Sequence, residues 1–161
     1  MEPQLRAKVS LKNPDHFLGL GFGSGLIPFM PGTFGSLAAI PILILLSYVS
    51  IEWYLLVTFV VCLSGVRFCG KTSEALELHD HGSIVWDEIA GMLVTFLFLP
   101  LTWINILIGF VLFRFFDILK PWPISFFDKH VHGGTGIMLD DLIAGAFACI
   151  FMQLMLWIDF I

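Results

Sequence analysis

Apolar runs separated by short polar stretches divide the chain from residue 36 onward. Two of them, 36–48 and 51–68, follow closely on one another and predict a pair of helices. The polar stretch 71–83, KTSEALELHDHGS, reads as an amphipathic continuation or a loop outside the membrane. A third run, IVWDEIAGMLVTFLFLP, opens on two acids and closes at Pro100, where Pro100 and Thr102 predict a tight turn. Residues 103–119 make a fourth helix, ended by Pro121 and Pro123, which are expected to hold the next few residues extended. Residues 137–161 make the last, with Asp140 and Asp141 expected in its first turn, just after a glycine-rich turn, GGTG.

Ahead of these helices the pattern is different. Residues 1–16 form a polar leader carrying Arg6, Lys8 and Lys12, read as a retained basic tail because no signal-peptide core follows it. Then comes FLGLGFGSGLIPFMPGTFGSLAAIP, apolar yet studded with glycine and proline, which argues against a regular helix between Gly19 and Gly35. A re-entrant segment at the membrane edge fits, with Thr33 or Ser36 as the N-cap of the first helix.

Composition turns this pattern into a membrane protein. Of 161 residues, 58% are hydrophobic and 13% charged, with a mean hydropathy of +0.92; soluble chains carry about 25% charged residues. The expected fold is all-α: one membrane-embedded domain over residues 1–161, a polytopic bundle of four or five short hydrophobic helices. The first and third helices, at about 14 residues, reach only about 21 Å, short of a hydrocarbon core of about 30 Å. With the N-terminus inside, five crossings bring Lys71, Lys120 and Lys129 to the cytoplasmic face, while the turns near Ser50 and Pro100 carry no Lys or Arg. A four-crossing arrangement with a re-entrant first segment is the alternative. Trp86, Trp103, Trp122 and Trp157 read as interfacial anchors. The three cysteines, an odd number inside apolar runs, read as small buried residues. A net charge of −5 argues against nucleic acid as a partner and, with the acids clustered, for a cation.

The chemistry concentrates in FRFFDILKPWPISFFDKHVHGGTGIMLDDLIAG and in HDHGSIVWDEIAGM. Adjacent carboxylates at Asp87–Glu88 and Asp140–Asp141 repel one another unless a cation screens them, which makes them candidate metal ligands beside the simpler reading of helix-start acids. Gly91 and Gly145 each fall on the face of a nearby acid and would permit close helix contact. Arg114, Asp117 and Lys120, three apart, share one face, as an intrahelical ion pair or as a cation–phosphate site. His79, Asp80 and His81 read as a surface loop; Asp80, Asp128 and His132 are accessory candidates.

These segments, in this order, closely resemble the bacterial phosphatidylglycerophosphatase A family over about residues 13–145. The resemblance implies a Mg²⁺-dependent phosphatase of the bacterial inner membrane, active site on the cytoplasmic face, that converts phosphatidylglycerophosphate to phosphatidylglycerol and phosphate. On that reading Asp87, Glu88, Asp117, Asp140 and Asp141 supply metal ligands, directly or through water. Asp117, Asp140, Asp141, Arg114 and Lys120 carry the catalysis, and Thr33, Gly35, Ser36, Arg114 and Lys120 hold phosphate. Two other classes compete: a cation transporter, which calls for mid-span ionisable groups or an inverted repeat, and a CDP-alcohol phosphotransferase, whose D-x2-D-G-x2-A-R signature is absent.

Overall fold

Small residues along one long helix allow the rest of the chain to close around it. In the computed structural model, which describes residues 2–158, α8 (Gly133–Trp157) packs against α4 (Ile51–Leu76), α5 (Trp86–Thr95), α6 (Trp103–Leu119) and the short α7 (Ile124–His130). Gly136, Ala144, Gly145, Ala148 and Cys149 are buried on α8. A side chain at Gly145 would run into the Gly91 carbonyl on α5, and one at Gly134 into the Val66 carbonyl on α4. Gly91 and Gly145, each expected to permit close helix contact, do so against one another. The described residues are all helix, turn and loop, and the expected all-α class holds.

Of these helices, α4 (26 residues) and α8 (25 residues) have the length and apolar composition to cross a bilayer, and α3 (Pro31–Leu46) is apolar but shorter. Helix α5 has only 10 residues, or about 15 Å, and is buried on every side except at Val94. It contacts α3, α4, α6 and α8, so its short backbone meets protein and not solvent or lipid. Its C-terminal end is tied down by the Tyr54 hydroxyl, which donates to the Leu93 carbonyl at 2.7 Å.

Helices α3, α4, α5, α6 and α8 alternate in direction, with the short α7 lying at one end, which gathers the helix ends into two groups. Residues of 46–54 and 96–102 line a common cavity of about 370 Å³ at one end. At the other lie the start of α3, the end of α4, the start of α5, the end of α6 and the first turns of α8. Thr102 caps α6 by accepting from the Asn105 amide at 3.2 Å, as the turn at Pro100 required.

Several expectations are corrected. Helix α3 begins at Pro31, so Thr33 and Ser36 lie inside it; the residue before it, Met30, takes the left-handed φ of 47°. The glycine-rich stretch before it is not irregular throughout: α2 (Pro14–Gly19) packs on α4, and short 3₁₀ turns over Gly21–Leu26 pack on α3. Part of the polar leader is also helical, as α1 (Pro3–Arg6), and is tied back by Lys8–Glu77 at 2.7 Å and Arg67–Asp15 at 3.0 Å. After Lys120 the chain turns into α7 and does not run extended. Trp86 is 6% exposed, its indole N–H donating to the Val61 carbonyl at 3.1 Å, so it is a core residue; Trp103, Trp122 and Trp157 are exposed. Finally, GGTG is the first turn of α8 rather than a loop, which places Asp140 and Asp141 two turns inside the helix. The expected end of this helix at Ile161 lies outside the described residues.

Candidate active site

Helix α5 starts at Trp86, so Asp87 and Glu88 stand in its first turn, where free amides and the positive end of the helix favour acids. Asp141 reaches them from α8. One carboxylate oxygen from each of Asp87, Glu88 and Asp141 lies within 4.8 Å of the others, and all three residues are buried. Asp117 on α6 lies beside Asp141. The helix dipole does not account for Asp141, which is too far along α8 to cap it.

Arg114 closes this group on the side of α3. Its guanidinium is 2.6 Å from Asp117 and 4.0 Å from Glu88, and Nη1 donates to the Ser36 hydroxyl at 3.4 Å. The Ser36 hydroxyl in turn donates to the Gly32 carbonyl at 3.0 Å. A side chain at Gly32 would collide with Glu88 and meet Arg114 at 3.2 Å, so the missing Cβ lets the start of α3 approach both. Thr33 is half-buried in the same turn. Gly35 lies a turn further on, where its amide belongs to the helix ladder and its Cα packs on Val85.

Lys120 caps the C-terminal end of α6 in the left-handed conformation, φ 42°. Its ammonium pairs with Asp128 at 2.6 Å and with Asp140. Asp80, Asp128 and Asp140 form a second group, again with one oxygen each within 4.8 Å of the others. Asp80 is exposed as a residue, yet its carboxyl faces this group; partial desolvation raises its pKa above the ordinary aspartate range, with Lys120 pulling the other way. His132 is exposed and lies against His79, ring centres 5.0 Å apart, rather than among the carboxylates.

The arrangement leaves buried oxygens without partners. Asp87 Oδ1, Glu88 Oε2 and Asp140 Oδ1 accept no hydrogen bond, and Arg114 Nε donates none. An unsatisfied buried carboxylate is costly, and oxygens from three residues this close fit a hard divalent cation.

A model of the phosphatidylglycerophosphatase A family matches residues 17–156, a span that holds every side chain of the two acidic groups and their bases. The chain belongs to this family. It is 49% identical over 141 residues to the phosphatidylglycerophosphatase A of Escherichia coli, covering 87% of this chain and 82% of that one. Against the protein of the same name from Haemophilus influenzae it is 50% identical over 145 residues, 89% of each chain. A Bacteroides thetaiotaomicron protein provisionally named a phosphatidylinositol-3-phosphatase is 32% identical over 149 residues, 88% of this chain and 92% of its own. No solved structure matches the chain.

Sequence reasoning named each acid but not the partition. That Asp140 leaves Asp141 and joins Asp80 and Asp128 around Lys120 depends on the loop after α4 and on α7, and neither announces its partner in the sequence. One signal was available: adjacent residues on a helix do not share a face.

Proposed function

We propose that this protein is a membrane phosphatase that hydrolyses phosphatidylglycerophosphate to phosphatidylglycerol and phosphate, with Mg²⁺ held by Asp87, Glu88 and Asp141 and flanked by Asp117. The observation that carries the reading is the meeting of these buried carboxylates with Arg114 at one end of an apolar bundle. The names of the Escherichia coli and Haemophilus influenzae relatives support the substrate.

A divalent ion there supplies charge neutralisation to the phosphoryl oxygens and acidity to a bound water. Arg114 keeps Nε free for a phosphoryl oxygen while Asp117 and Ser36 fix its plane. Thr33 and the Gly32 amide, in the first turn of α3, would be available to the same oxygens. Water attacks phosphorus, the bond from phosphorus to the lipid oxygen breaks, and the alcohol leaves carrying a proton. Only the terminal phosphate has to reach the carboxylates, so the diacylglycerol tails stay in the bilayer.

The membrane arrangement we propose is a single domain over residues 1–161 in the bacterial inner membrane. Helices α3, α4, α6 and α8 face lipid, and α5 is enclosed as a fifth pass. The carboxylate end carries Arg67, Lys71, Arg114, Lys120 and Lys129 and faces the cytoplasm, whereas the 46–54 and 96–102 end has no Lys or Arg.

The test is phosphate release by the purified protein from phosphatidylglycerophosphate, phosphatidylinositol 3-phosphate and glycerol 3-phosphate, with added CMP as a control for headgroup transfer. The reading expects release from phosphatidylglycerophosphate well above the other two and independent of CMP. No release from it, or release that requires CMP, overturns the reading.

A further inference from the structure

The second acidic group has no part in the chemistry above, and it is built around a lysine. We propose that Asp80, Asp128 and Asp140 form a second divalent-cation site, in which Lys120 is the resident counter-ion and gives way when the ion binds. One oxygen from each acid lies within 4.8 Å of the others, the spread expected when oxygens sit at about 2.0–2.6 Å from a common Mg²⁺ or Ca²⁺. Independently of that clustering, Asp140 is 4% exposed and its Oδ1 has no partner, because Lys120 takes only Oδ2. The lysine therefore leaves this group incompletely satisfied.

Charge argues the same way, and here the inference rests on the proposed phosphate substrate. Among the described residues, the Lys and Arg side chains that pair with any of Asp80, Asp87, Glu88, Asp117, Asp128, Asp140 and Asp141 are Arg114 and Lys120. A phosphate monoester brings about −1.5 to −2, so one divalent ion only offsets the substrate's own charge. A second ion reduces the carboxylates' excess. It also frees the Lys120 ammonium, at the C-terminal end of α6, for phosphate oxygens. Lys120 is thus a phosphate ligand in the loaded site and a carboxylate partner in the unloaded one.

The probe is Mn²⁺, and the readout is binding stoichiometry and affinity of the full-length protein in detergent, by titration calorimetry and by loss of the free-ion electron paramagnetic resonance signal. The wild type is expected to take two Mn²⁺ per chain. Asp80→Asn with Asp128→Asn should retain one, and Glu88→Gln with Asp141→Asn should also retain one, from the other group. Lys120→Met removes a competing charge, so one of the two ions should bind about tenfold tighter. An acidic cluster that merely holds the fold through its lysine would show no such gain. One Mn²⁺ per chain in the wild type, or unchanged affinity in Lys120→Met, overturns the proposal. Hydrolysis of phosphatidylglycerophosphate with a single ion ends this inference and leaves the function standing; two ions without hydrolysis do the reverse.

Discussion

Asp141 stands two turns inside α8, against the first turn of α5, and no cap or ion pair among the described residues accounts for its burial. Replacing it by Asn keeps the shape and removes the charge that would hold a cation. Asp141→Asn is expected to lower phosphate release by about 100-fold or more while the protein still inserts; turnover near that of the wild type would take Asp141 out of the catalytic set. Arg114 offers a finer test. Lys cannot reproduce a planar fork that bonds Asp117 and Ser36 while keeping Nε free. Arg114→Lys should therefore lose about tenfold or more in kcat/KM, and a variant that keeps full activity would reduce Arg114 to a plain counter-charge. The paired acids were legible because adjacent carboxylates in an apolar chain are costly. Their partition was not. Successive helical residues point about 100° apart, so Asp140 and Asp141 diverge, and only the positions of α7 and the 77–85 loop decide where Asp140 goes.

At the scale of elements, close packing set helix limits that residue preferences did not. Glycine costs about 1 kcal/mol in a helix interior, so GGTG reads as a turn from sequence. In the structure one of these glycines, Gly134, lets α8 lie on the backbone of α4, at Val66 and Gly70. The start of α3 at Pro31 has a related cause: proline suits the first helical turn, and Gly32 lets that turn approach Glu88 and Arg114. The α5–α8 contact is the one the carboxylates depend on. Gly145→Ala would press a methyl group into the Gly91 carbonyl, and is expected to cost about 1–3 kcal/mol, read as a lower unfolding temperature in detergent. An unchanged midpoint would mean that this seam can open to admit a methyl group at no cost. Helix α6, by contrast, was readable to its ends because Thr102 and Lys120–Pro121 mark both locally.

For the whole molecule, the alternation of helices was visible in the hydrophobic pattern, but the enclosure of α5 was not. An apolar run reads the same whether it meets lipid or protein, and the burial of Trp86 shows how an expected anchor becomes core. The proposed orientation has its own test. In a protein lacking Cys62, Cys69 and Cys149, a cysteine at Ser50 should react with an impermeant maleimide added outside spheroplasts, and one at Ser73 should not. Labelling of both from the same side would refute the five-pass arrangement.

The central claim is that carboxylates from α5 and α8 seat a divalent ion facing a lipid phosphate. Its most direct test is phosphate release from phosphatidylglycerophosphate by chelator-treated protein, titrated with Mg²⁺, for the wild type and for Glu88→Gln. The account predicts no release without the ion, recovery on titration in the wild type, and little or no recovery in the variant at the same Mg²⁺. Full release in the presence of chelator, or a Glu88→Gln curve that superimposes on that of the wild type, would contradict it.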